Sequence, residues 1–393
     1  MTTAVTRGAT FGEVLAVGEF RILFGGFSLQ VLGESVKMLA LSVLVYTATG
    51  SPALAAVAYM IGFVPHALGG TLLLSLADRL PSRPLIVAGE IVRIAVCLAL
   101  ALLGMPVWTM LVIVFLTGMF TPVFMAARNA MLPEVLSGDA YIVGRSMMTV
   151  VSASAQVAGL AAGGALLALT GPRGALLLTA ALAAAGAVLV RLGLRPRPAR
   201  HSGGPGSVRE TLRGNGELLR DPAIRGLLLA GWGPIWLLSG AEAVIVPYLG
   251  AQAGFVLASF AVGMGAGDFV VGRFVPPRLR ERLSFPLACL LGVPLMLFAA
   301  RPSLLAAAAL AVLSAACTAF ALGIQRRFVE IVPERRRGQA FGLMNAGAMT
   351  GQGLGAAALG ALAEAVGPHN AVALAGAAIL AWSLACRRHL RGS

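Results

Sequence analysis

The sequence predicts an all-α integral membrane protein, with twelve transmembrane helices arranged as two parallel six-helix repeats. Three observations predict it. Of 393 residues, 58% are hydrophobic and only 12% are charged, against roughly 25% charged in soluble domains. So little polar surface cannot cover so apolar a core, which excludes an ordinary soluble enzyme and a disordered chain. The basic residues alternate between successive breaks in the apolar pattern. A glycine-rich pattern then occurs twice at a fixed spacing.

Each membrane helix needs about 20 apolar residues. Runs of this kind fall at 20–46, 53–76, 84–103, 106–127, 141–169, 174–194, 223–248, 254–275, 284–300, 303–325, 338–366 and 368–386. Met1 to Glu19 lacks the basic start and small-residue cleavage site of a signal peptide, so the first run reads as a retained span. Turn chemistry separates the spans at Thr49-Gly50-Ser51-Pro52, Gly104-Met105-Pro106, Gly171-Pro172 and Gly367-Pro368. Spans 5 and 11 exceed what a bilayer needs, so their first turns project into the cytoplasm. Residues 195–222 form the one sizeable linker, polar at first and then amphipathic from Ser207 to Leu219. It separates an N-terminal half, 1–194, from a C-terminal half, 223–393.

The net charge of +14 resolves into topology. Lys37 is the only lysine among 30 basic residues. With the N-terminus inside, the outer breaks hold only Arg173 and Arg301, and the remaining loop arginines fall on the inner side. That alternation is the positive-inside pattern, and it places both termini in the cytoplasm of a multi-pass cell-membrane protein. Anionic lipid headgroups are the neighbours of this charge. No basic stretch is interleaved with aromatics, so nucleic acid is not an expected partner.

The repeat is specific. Gln156, Gly159, Gly164-Ala165-Leu166 and Gly171-Pro172 share their spacing with Gln352, Gly355, Gly360-Ala361-Leu362 and Gly367-Pro368, 196 residues later. Upstream, Arg128 leads to Pro133-Glu134 as Arg327 leads to Pro333-Glu334. Span 5 therefore corresponds to span 11, in the same orientation. Two parallel halves related by an axis along the membrane normal are the architecture of a major facilitator transporter. Gly159, Gly163, Gly164, Gly355 and Gly360 give these spans small faces that pack closely in lipid, as a moving seam between halves or as static contacts.

The residues also resemble that superfamily directly. Leu76-Ala77-Asp78-Arg79 with Arg83 resembles its signature between spans 2 and 3, although Leu74, Pro81-Ser82 and Pro84 depart from it. Gly159 to Gly164 resembles the antiporter motif of span 5, without its proline at Leu160. Arg128-Asn-Ala-Met-Leu-Pro133-Glu134, and Leu32-Gly33-Glu34 followed by Tyr46 to Ser51, resemble the drug:proton antiporter branch that includes macrolide and siderophore exporters. The resemblance implies that Asp78 pairs with a basic residue and faces the start of span 11, clamping the halves in the outward-open state. It also implies that Arg79 and Arg83 act as cytoplasmic anchors and gate partners, in a gating group with Arg128 and Arg273.

Ionisable residues inside spans are costly, so each is a functional candidate. Glu34 lies about 21 Å along span 1 at ~1.5 Å per residue, with Lys37 three residues on. The two form either a neutral structural pair or a proton or cation site. Glu242, in span 7, has no basic residue nearby in sequence and favours function. Asp268 in span 8 either pairs with Arg273 or relays a proton. Glu90 and Arg93 read as a structural pair on a peripheral span 3. His66 either titrates or packs with a hydrogen bond. Phe27, Tyr59, Trp232 and Trp236 are expected cavity walls, and Gln156, Asn345 and Gln352 line the cavity or tie helices together.

The pattern points to a monomeric secondary transporter, exporting a hydrophobic or amphipathic small molecule in exchange for protons. An importer of a small metabolite is the nearest alternative, and a membrane enzyme a distant one. No cofactor or metal is expected. Lys37 follows Val36, so there is no P-loop. The four Asp and four His form no diphosphate-metal pair and no H-E-x-x-H, and no Gly-x-Ser-x-Gly elbow occurs. Cys97, Cys289, Cys317 and Cys386 lie in or beside apolar runs as small hydrophobes.

Overall fold

The computed structural model describes residues 10–66, 68, 69, 73, 80–198, 208–333 and 336–390. These residues are helical almost throughout. A short α1, Phe11–Ala16, is capped by Thr10 and Glu13 in a reciprocal box. The N-terminal group continues with α2, Gly18–Thr49; α3, Pro52–Met60; α4, Ser82–Leu102; α5, Val107–Gly118; α6, Thr121–Val135; and α7, Asp139–Gly193. A connecting helix α8, Val208–Arg220, leads into α9, Pro222–Leu249; α10, Ala253–Phe274; α11, Pro277–Met296; α12, Leu304–Ala316; α13, Phe320–Ile331; α14, Arg337–Val366; α15, Pro368–Ala385; and α16, Arg387–Leu390.

Nine helical stretches among the described residues are long and apolar enough to cross a membrane. The twelve expected spans map onto them with three adjustments. The stretch Val143–Gly193 holds two spans. They join at Gly171, whose φ of 70° and ψ of 177° break the helix. Gly367, φ 85°, makes the same break between α14 and α15. Only glycine adopts such angles without strain, and the following Pro172 and Pro368 start the next helix where no N–H is needed. Span 11 is α14, helical for 30 residues but rich in Gly, Asn and Gln.

Span 2 departs from its expected run. Helix α3 ends at Met60, and the chain passes through turns to Pro65. Phe63 and His66 donate their N–H groups to Met60 O and Phe63 O, tighter i−3 bonds. Pro65 cannot donate at all, which ends the α-helical ladder here. Spans 4 and 10 are also interrupted. Span 4 turns between Gly118 and Thr121, and span 10 tightens to a 3-10 turn at Cys317–Ala319.

Packing follows the repeat. Helix α2 lies along α7, and its counterpart α9 lies along α14. Helix α4 packs on α7 as α11 packs on α15. The two groups meet through α3 on α14 and through α10 on α7, contacts that are two-fold equivalents. The repeated glycines occupy matching places in this scheme. A Cβ at Gly159 would stand 2.7 Å from Leu32 O, and one at Gly355 would collide with Trp236 O, so each glycine seats its helix on span 1 or span 7 of its own half. Gly163 likewise faces Val36. Gly164 instead touches Gly254 of α10, and Gly360 lies 2.8 Å, at Cβ, from Ala53 and Ala56 of α3. Of the five glycines, Gly164 and Gly360 alone stand at the seam between groups.

Candidate functional site

A cavity of about 1190 Å³ lies between the two groups. Its lining reaches Asn215 of α8 and Gln339 at the start of α14, on the arginine-rich face. Towards the other face the groups close together. Gly360 packs on α3, Gly164 on α10, and the Ser51 hydroxyl donates to the Glu364 carboxylate. The lining therefore extends towards the arginine-rich side, and the two groups are in contact towards the arginine-poor one.

One wall carries a chain of ions. Lys37 Nζ sits 2.7 Å from Glu34 Oε1, and Arg93 Nε 3.8 Å from Glu34 Oε2. Arg93 Nη1 reaches Glu90 Oε2 at 3.0 Å, and Arg128 Nη2 reaches Glu90 Oε1 at 3.4 Å. Three helices, α2, α4 and α6, thus supply three cations and two carboxylates. Glu34, Lys37 and Arg93 face the cavity; Glu90 and Arg128 lie behind them, fully packed. Gly186 of α7 covers Glu90, and the Arg128 guanidinium lies 5.4 Å from the Phe27 ring centroid. Arg128 Nε and Nη1 have no acceptor among the described residues.

The opposite wall holds Glu242 on α9 and Asp268 on α10. Neither forms an ion pair with a basic residue among those described. Glu242 lies within electrostatic range of Tyr59. His66 lines the cavity near Glu34 and Lys37, donating Nδ1–H to Gly62 O at 2.9 Å and stacking on Phe63. Phe27, Tyr59, Gln156, Asn345 and Gln352 all line the cavity.

Several expected roles are corrected. Trp232 and Trp236 are not cavity walls. They stack on each other at 5.7 Å and donate their indole N–H groups to Met344 O and Gly347 O of α14. Gly347 and Gly351 leave the notches that receive the rings. A large ring and an adjacent glycine on the facing helix make a tie between helices. Arg128 is 3% exposed and bonded to Glu90 inside its own half. Arg83 donates to the Arg191 carbonyl at the end of α7, inside its own half. That carbonyl is one of the unpaired acceptors of a helix C-terminus. Arg273 is exposed and lies over Phe274, with no bond to Asp268. Asp78 and Arg79 lie outside the described residues. Span 3 is not merely peripheral, because Val92, Arg93 and Val96 form cavity wall. The intramembrane pair Glu90 and Arg93 was the signal that could have pointed there.

With this geometry, the sequence matches the Major Facilitator Superfamily over residues 23–248 and again over 234–391, so the chain belongs to that superfamily. It is a membrane transporter of all-α fold. No curated protein matches its sequence. A bacterial homolog of the human lysosomal transporter Spinster, crystallised inward-facing and unoccupied, is similar at a TM-score of 0.70 and 15% identity, with 98% of this chain and 100% of that chain covered. A POT family transporter in complex with 5-aminolevulinic acid is similar at 0.71 and 11% identity, covering 93% and 95%. These likenesses carry the fold.

Proposed function

We propose that the protein exports a hydrophobic or amphipathic small molecule in exchange for protons, as a monomer in the cytoplasmic membrane with both termini inside, in the manner of the drug:proton antiporter branch. The halves 1–194 and 223–393, joined by 195–222, rock about the cavity so that it faces each side in turn. The supporting observation is a large cavity between halves, with contacts between the halves towards one face and a carboxylate on its wall that has no cation among the described residues. Glu242 is the proton carrier in this scheme. Protonating it removes a buried charge that no cation balances among the described residues, whereas protonating Glu34 would take from Lys37 its carboxylate partner, Arg93 keeping Glu90. The proton thus changes what the C-terminal wall can bind, which couples it to the cargo.

Asp78, Arg79 and Arg273 are proposed to serve the arginine-rich gate, and His66 to assist at the Glu34 site. A second reading, import of a small polar metabolite, draws on Lys37, Arg93 and Glu242 facing the cavity.

Reconstitution into proteoliposomes tests the proposal. A dansyl-labelled amphipathic amine should move against its gradient when a proton gradient is imposed. Glu242→Gln should uncouple the two, reducing gradient-driven uptake about tenfold or more, a loss of ~1.4 kcal/mol of coupling. Unchanged coupling in Glu34→Gln, Glu242→Gln and the double variant would overturn it.

A further inference from the structure

The two cavity walls carry opposite and unbalanced charge. On the α2–α4–α6 wall, Lys37, Arg93 and Arg128 pair with Glu34 and Glu90, which leaves one positive charge in excess among the described residues. Arg128 is 3% exposed, and two of its donors have no acceptor among the described residues. The network meets the cavity at Lys37 and Arg93, so that is where a compensating anion can reach it. On the α9–α10 wall, Glu242 and Asp268 have no cation among the described residues. A proton can neutralise those carboxylates, but no proton can neutralise the opposite wall. Uncompensated charge at membrane depth is expensive, and a partner of opposite sign recovers the cost.

We infer that the cargo is zwitterionic: an acidic group seats at Lys37 and Arg93, a basic group at Glu242 and Asp268, and an apolar body spans the wall between them. Met38, Leu41, Val96, Leu238 and Leu257 supply that apolar stretch. Because the charged walls belong to different halves, such a molecule bridges them, and a molecule with one charge satisfies one half only. The inference rests on the transport reading above and narrows its substrate class.

Four dansyl probes on one alkyl scaffold test it: one with a free amine, one with a carboxylate, one with both and one with neither. Binding to the purified full chain in nanodiscs at pH 7 is read by fluorescence anisotropy. The doubly charged probe should bind at least about tenfold tighter than either singly charged one, as lost interfacial charge pairs typically cost. Lys37→Met or Arg93→Gln should erase the benefit of the carboxylate and leave that of the amine. Lys37→Arg should retain both, which separates charge from folding. Glu242→Gln should erase the benefit of the amine. Equal binding of all four probes, or a carboxylate benefit that survives in both Lys37→Met and Arg93→Gln, overturns the inference. Flux of the same probes is scored separately. Movement of all four without charge preference leaves the transport reading standing, and charge-selective binding with no flux of any probe contradicts the transport reading alone.

Discussion

Removing Glu90 and removing Arg128 are opposite operations on the buried charge. Glu90→Gln leaves three cations against the single carboxylate Glu34, whereas Arg128→Met leaves Lys37 and Arg93 balanced by Glu34 and Glu90. Breaking a buried pair by deleting one partner costs about 3–5 kcal/mol when the remaining charge is stranded. Glu90→Gln should therefore lower the thermal midpoint in detergent more than Arg128→Met does, despite the smaller change in volume. The reverse order would refute the charge account. The sequence showed Glu90 and Arg93 as an i,i+3 pair and Glu34 with Lys37 as another, and both pairs are present. It did not show that the pairs join, because Arg93 meets Glu34 only once α2 and α4 are packed. Nor did it show that Arg128 turns into its own half, since an arginine near the end of a span looks the same whether it faces lipid headgroups or a buried carboxylate.

At the scale of elements, the tryptophan ties are the most exposed to test. Gly351 stands where any Cβ would collide with the Trp236 indole. Gly351→Ala should expel that ring, shift the tryptophan emission and cost about 1–3 kcal/mol, the usual penalty of overpacking. An unchanged spectrum would contradict the notch. Sequence placed these aromatics on the cavity because it could show their span but not the side of α9 that faces α14.

The connecting helix α8 makes a different kind of contact. Glu217 bonds Arg336 at 2.7 Å and Asn215 accepts from Gln339 at 3.2 Å, fastening α8 to the start of α14. The hydrogen bond and charge of Arg336 hold the Glu217 carboxyl below its ordinary 4.5. A depressed pKa means that the contact stabilises above the ordinary value and is lost as pH falls through the depressed one. Amide protection over 208–220, taken relative to the intrinsic exchange rate at each pH, should therefore fall in acid, and Arg336→Ala should lower it already at neutral pH. Exchange that ignores both would remove the fastening. An exposed pair of this kind contributes little to global stability, so the melting point should hardly move.

At the scale of the molecule, the repeat written in the sequence is also a repeat of mechanical roles. Gln156 and Gln352 face the cavity, Gly159 and Gly355 seat their helices on span 1 and span 7, and Gly164 and Gly360 meet the opposite half. The helical class and the pairing of spans 5 and 11 were legible because composition, arginine alternation and glycine spacing are properties of the chain itself. The breaks in spans 2, 4 and 10 were not, because hydropathy is blind to a change from i−4 to i−3 bonding. The cavity was legible only in part, since its walls are defined by how helices of both halves face one another.

In the proposed transport cycle the halves part at the arginine-poor face for cargo to cross. Ser51 and Glu364 meet there across the seam. In a variant with the four native cysteines replaced, Ser51→Cys with Glu364→Cys permits a reversible cross-link, and flux of a bound dansyl probe into proteoliposomes is the measurement. The account predicts that oxidation stops flux and that reduction restores it, while probe binding from the arginine-rich side persists throughout. Flux that continues unchanged through the cross-linked protein would contradict alternating access at this cavity.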